Sequence, residues 1–104
     1  MQAAGGIAIS GLPTDLDWFN ETYAPTGELV EGFPAYSAGD DRHLYREPKE
    51  DDWQISRAPF DPADTNCLAF IPAAGGPVPT GTRGWNVAVD DAWVDAELTL
   101  CEVA

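Results

Sequence analysis

The sequence predicts an all-β fold: a small antiparallel meander of about 7–9 short strands closing into a barrel or sandwich, with little or no helix. Short blocks recur along the chain, most carrying Trp or Tyr: Phe33–Ala38, His43–Arg46, Trp53–Arg57, Cys67–Ile71, Trp85–Val89 and Ala92–Val94. Acidic or Gly/Pro turn residues close them, and runs this short suit strands rather than helices. Two further blocks, Ile7–Ser10 and Leu98–Val103, read as terminal strands that pair with each other, since each would otherwise leave an open sheet edge.

Taken in order, Gly11-Leu12-Pro13 stops the first strand. Residues 14–17 read as a loop, because Pro13 and the brevity of the segment oppose a helix, and Trp18–Tyr23 reads as a second strand. Ala24-Pro25-Thr26-Gly27 has turn chemistry, with Pro presetting φ and Gly accepting positive φ. Pro34 cannot donate to a ladder, so its block lies at a sheet edge or starts pairing after the proline. Gly39-Asp40-Asp41-Arg42 is a hairpin signal, and Glu47–Asp52 is a turn tipped with charge. Trp53-Gln54-Ile55-Ser56 alternates as a half-buried strand does. Residues 58–66 and 72–84 are the two long loops, and Asp90-Asp91 makes the last tight turn.

The chain has 104 residues, the size of one domain with one modest core. Four Trp, three Tyr and four Phe supply its large anchors. Eighteen acids against four Arg and the single Lys49 leave a net charge of −13, which opposes nucleic acid and anionic membrane surfaces. The acids are scattered, as expected of residues that solvate turns; as a field they would steer a basic partner. No apolar run is long enough for a membrane span, and no signal peptide is visible at the start. The compartment stays open.

Catalytic chemistry has little to build on. His43 is the sole histidine, reads as an exposed turn residue, and is accompanied by no nucleophile motif. One His and two distant Cys are a poor zinc set. Asp40-Asp41 or Glu50-Asp51-Asp52 offer calcium two or three carboxylates but no calcium loop. Gly75, Gly76 and Gly81 lack the strand–Lys–helix setting of a phosphate loop. No enzyme and no cofactor is expected. Cys67 and Cys101 read as two buried free thiols, or alternatively as one disulfide. Asn20-Glu21-Thr22 is a glycosylation tripeptide of the kind that arises often by chance.

Binding is the function that survives. Trp18, Trp53, Trp85 and Trp93 all read first as core, and Trp93 alone also admits an exposed reading, because it sits in a three-residue block directly after a turn. Trp93 or Tyr36, beside Asp90, Asp91 and Asp95, would stack on a sugar while the carboxylates accept its hydroxyls. The same residues would anchor a protein interface, where aromatics are enriched, with the Phe33–Ala38 edge or the 72–84 loop carrying Arg83 as further contacts. Hence a protein partner, with a basic surface or as part of a larger assembly, leads and a glycan follows.

A wider pattern runs through Asn20-Glu-Thr-Tyr23, Gly27-Glu-Leu-Val-Glu-Gly-Phe-Pro-Ala-Tyr36, His43-Leu-Tyr45, Trp53-Gln-Ile-Ser56, Pro79-Thr-Gly-Thr-Arg-Gly-Trp85 and Ala92-Trp-Val94. It resembles a poorly characterised Trp/Tyr-rich all-β module repeated in large modular proteins of algae, protists and marine invertebrates. That module reads Asn-Gly-x-Tyr, Gly-x-x-Val-Asn-Gly-Arg-Pro-x-Tyr, Leu-Tyr-Tyr, Trp-x-Ile and Trp-x-Val. Glu21, Glu31, Phe33 and Arg46 depart from it. The resemblance implies an accessory or adaptor module and brings no catalytic residues.

Overall fold

A computed structural model describes residues 6–30, 32–39, 41–48, 52–57, 67–71, 78–90 and 92–103. Eight strands follow one another: β1 (Ile7–Ser10), β2 (Thr22–Val30), β3 (Phe33–Ser37), β4 (His43–Glu47), β5 (Asp52–Ser56), β6 (Cys67–Ile71), β7 (Gly81–Val89) and β8 (Ala92–Glu102). Each pairs antiparallel with the next, and β8 returns to β1 through Ile7–Glu102, Ala8–Cys101, Ile9–Leu100 and Ser10–Thr99, closing a barrel. The terminal strands do pair, and the all-β meander is the fold. No helix among the described residues is long and apolar enough to cross a membrane.

The registers bring one row of side chains to the barrel interior. Leu44 lies opposite Ile55, Ile55 opposite Ala69 and Ala69 opposite Val87. Trp53, Trp85, Leu98, Leu100, Ile9 and Tyr23 complete the core. The indoles of Trp53 and Trp85, exposed by 0% and 1%, are its two largest members. Each removes about 150–250 Å² from water, or about 4–6 kcal/mol of transfer free energy. The Tyr23 hydroxyl, also inside, donates to the Phe19 carbonyl at 2.8 Å. Burial drives its pKa far above the ordinary phenol value, with the Arg42 charge opposing.

Several local expectations are corrected. Trp18 and Phe19 belong to a 3-10 helix, Thr14–Phe19, and β2 begins only at Thr22. The segment kinks at Leu16, at φ −124 and ψ 16, and Leu16 and Phe19 are both buried in the core. Asn20 clips this helix to the end of β1: its Oδ1 accepts from the Leu12 N–H at 3.0 Å and its Nδ2 donates to the Leu12 carbonyl at 3.4 Å. The amide of the glycosylation tripeptide is thus engaged internally.

Ala24–Gly27 is not a turn. β2 runs through it with a register shift between Pro25, opposite Tyr36, and Leu29, opposite Pro34. Thr26, Gly27 and Glu28 thus face Ala35 alone. Gly27 takes φ +92, and the Thr26 hydroxyl lies 3.3 Å from the Ala35 carbonyl while accepting from the Glu28 N–H at 3.1 Å. Turn chemistry has been spent on a bulge, which keeps the strand and bends it. β3 is accordingly no sheet edge; its ladder to β4 begins after Pro34, at Tyr36–Leu44.

β5 is buried on both faces, not one: Gln54 is 4% and Ser56 0% exposed. Asp52 (5%) and, opposite it on β4, Glu47 (2%) are buried as well. These two acids therefore do not solvate a turn, and Gln54 Nε2 donates to Asp52 Oδ1 at 3.0 Å. Finally, Ala92–Val94 and the expected Leu98–Val103 block merge into one strand, β8, which no Gly or Pro interrupts and which ends at Glu102. β7 likewise absorbs Gly81–Gly84 from the expected 72–84 loop. Residues 58–66, and 72–77 of the second loop, lie outside the described residues.

Candidate functional site

β7 and β8 form the longest ladder in the barrel, from Gly81–Leu100 to Val89–Ala92. Asp90 turns it at φ +51, a left-handed conformation that Asp tolerates better than bulkier residues. The ladder outruns its neighbours. β6 meets β7 at Ala69–Val87 and Phe70–Asn86, and β1 meets β8 only from Thr99 onward. The end of the hairpin is therefore an arm bearing exposed apolar side chains.

Trp93, opposite Ala88, is 52% exposed. Its ring packs edge-on against Phe70, with centroids 4.9 Å apart at 80°. Val94, on the other face and opposite Val87, is 41% exposed. Beside Trp93 on its own face stands exposed Asp95, opposite Asn86. Asp90 and Glu97 are exposed too.

Of the residues singled out from sequence, the fold gathers Trp93, Asp90 and Asp95 on this arm. Asp91 lies outside the described residues. Arg83 is on β7 opposite Leu98, five ladder positions from Ala88, or roughly 17 Å. It is exposed, and its Nε donates to the Thr80 carbonyl at 3.1 Å. Tyr36 is inside: 8% exposed, on β3, in the core cluster, with its pKa raised by burial and then by Glu102. Phe70 was missed. Alternation in Cys67–Ile71 puts it on the face opposite Ala69 and Ile71, which a short apolar block conceals.

Electrostatics favour a cation at the arm. Three arginines are committed elsewhere on the barrel: Arg42 and Arg57 lie over the Trp18 ring at 5.7 and 5.5 Å, and Arg46 over Phe33 at 5.4 Å. Arg42 also donates from Nε to the Ala38 carbonyl at 2.8 Å and from Nη1 to the Trp18 carbonyl at 3.0 Å.

A concavity of about 160 Å³ lies elsewhere, between the β2 bulge and β3–β4, with Leu29, Val30, Ala35, His43 and Tyr45 among its walls. Leu29 is 66% exposed at the bulge. His43 is a partly buried strand residue rather than an exposed turn residue. Among the described residues no group of three or more His, Cys, Asp or Glu is arranged to hold a metal ion.

Both cysteines are free thiols, Cys67 partly buried and Cys101 exposed. Cys67 sits on β6 near the arm, whereas Cys101 lies opposite Ala8, seven β8 residues beyond Val94 and about 23 Å along the strand. A disulfide needs Cα atoms within about 7 Å, so the fold separates the pair. A thiol reagent should label Cys101 quickly in the native protein and Cys67 only slowly; fast labelling of both would contradict the burial of Cys67.

Burial, and then the charge of Asp52, push the Cys67 thiol up to about 12 from 9.0. Between those values the unfolded chain releases its proton and the folded one does not. Cys67 therefore adds no pH dependence well below pH 9 and lowers stability as the pH rises from there toward 12. The tyrosines, with an unfolded value of 10.0, add their own loss higher up. Cys67→Ala should flatten the decline in chemical-denaturation stability between pH 9 and 10; an unchanged slope would remove Cys67 as its origin.

Comparison with protein-family models, with curated proteins and with solved structures found no match to this chain. The functional reading therefore rests on the geometry of the arm.

Proposed function

We propose that this protein is a non-enzymatic protein-interaction module, an accessory subunit that docks on a larger basic partner through the β7–β8 arm. The observation that carries this reading is the half-exposed Trp93, held edge-on by Phe70, with Val94 exposed on the opposite face. Indole anchors of this kind dominate protein interfaces, and neighbouring Asp90, Asp95 and Glu97 give the arm the sign that attracts a basic surface. The resemblance to a modular Trp/Tyr-rich domain points the same way.

Trp93→Ala should leave the unfolding free energy within about 1 kcal/mol of the parent, because half of the ring is already in water and no core cavity opens. The tagged domain should capture a stoichiometric protein from its native source at low salt and release it at high salt, and Trp93→Ala should abolish the capture. Equal capture by Trp93→Ala and parent would overturn the reading. A carbohydrate-binding role has one specific support, the Asp95–Asn86 pair beside the Trp93–Phe70 rings. In that case a soluble glycan would quench Trp fluorescence in the parent and not in Trp93→Ala.

A further inference from the structure

The arm has an unusual lateral edge. β8 carries β7 along one side from Ala92 to Leu100, yet on its other side β1 reaches only to Thr99. Among the described residues no strand pairs with Ala92–Glu97 on that second side, and Ala92, Trp93, Val94, Asp95 and Glu97 are all exposed. The chain cannot extend β1 along it, because Gly11 leaves the sheet at φ +100 directly beside the Glu97 carbonyl. Gly11 thus covers Glu97, and among the described residues Ala92–Ala96 is an open template for one more strand.

We propose that Ala92–Ala96 takes up an extended basic segment of the partner as an added antiparallel or parallel strand. The inference rests on the docking role of the arm and names its mode. The ladder places Trp93, Asp95 and Glu97 on one face, opposite Ala88, Asn86 and Gly84. Ala92, Val94 and Ala96 lie on the other, opposite Val89, Val87 and Trp85. The incoming strand therefore alternates. Lys or Arg side chains meet the two carboxylates and the face of the Trp93 ring, and aliphatic side chains extend the strip led by Val94. Main-chain hydrogen bonds supply affinity and this alternation supplies specificity, as in strand addition generally.

A second copy of the chain is the wrong occupant. Edge-to-edge pairing would bring Asp95 and Glu97 of both copies together within molecules of net charge −13. Edge charges of this kind protect against self-pairing while admitting a strand of opposite sign.

The probes are a soluble peptide of alternating Lys and Val and its Glu–Val counterpart, added to the full chain. Amide exchange read by NMR should slow by about tenfold or more at alternate positions within Ala92–Ala96 with the Lys–Val peptide only. Asp95→Lys combined with Glu97→Lys should reverse the preference to the Glu–Val peptide, a gain of binding that misfolding cannot mimic. Protection confined to the Leu29 groove, no protection, or self-association through the edge would overturn strand addition. If Trp93→Ala abolishes partner capture while the peptides leave Ala92–Ala96 unprotected, docking through the arm stands and strand addition falls. If Trp93→Ala changes nothing in capture, the docking reading itself falls.

Discussion

Trp53→Ala is expected to lower the unfolding free energy by about 3–5 kcal/mol, a large share of the roughly 5–15 kcal/mol typical of a domain. Trp53 is fully buried, sits on β5 between Arg46 on β4 and Ile71 on β6, and meets the edge of Phe33 with ring centroids 6.2 Å apart. Truncation empties the centre of the barrel, where three strands cannot collapse without breaking ladder hydrogen bonds. The loss would appear as a lower denaturation midpoint at unchanged slope; a loss below about 1 kcal/mol would disprove the assignment of Trp53 as a central anchor. Trp85 offers a graded comparison. Its Nε1 is buried with no acceptor among the described residues, and an unsatisfied donor costs about 1–3 kcal/mol. Trp85→Phe removes that donor along with one ring, so it should be milder than Trp53→Phe.

The second large effect is expected at Gly11. A Cβ added there would stand 2.6 Å from the Glu97 carbonyl oxygen and 3.3 Å from the Leu98 Cα, at φ +100. Both neighbours are backbone of β8, so no side chain can swing away. Gly11→Ala thus combines about 1–3 kcal/mol of backbone strain with a clash at the point where β1 leaves the seam that closes the barrel. Gly27→Ala separates the two causes: φ there is +92, and nothing lies within 4 Å of the added Cβ. Gly11→Ala should therefore cost clearly more than Gly27→Ala, with amide exchange accelerated along Ile7–Ser10 and Thr99–Glu102. Equal losses in the two variants would show that the contact with β8 contributes nothing.

Much of the barrel was legible because its signals are local. Gly39–Arg42 still closes a hairpin, with the Ala38 N–H donating to the Arg42 carbonyl at 2.8 Å. Asp90 turns the last hairpin beside Val89–Ala92. The errors arose where local chemistry has two structural uses. Pro25 and Gly27 suit a turn or a bulge equally, and the Tyr36 and Pro34 pairings on β3 decided for the bulge. Trp18 and Phe19 suit a strand, but Leu16 and Phe19 cover the core from a helical turn. Trp93 read as core like the other indoles, and only its three-residue block after a turn set it apart; the fold leaves it half exposed. Its partner Phe70 was not legible, being 23 residues away and joined only by the β6–β7–β8 order.

By itself the sequence determined the all-β class, the short strands, the pairing of its two ends and the acidic field, because turn residues, alternation and charge act over a few residues or over the whole chain at once. Tertiary structure alone decided that Glu47 and Asp52 are buried while Trp93 and Val94 are not. It also decided that β8 outruns β1 at Thr99. Those outcomes depend on where one strand stops relative to another, and register is set by contacts between residues far apart in the chain.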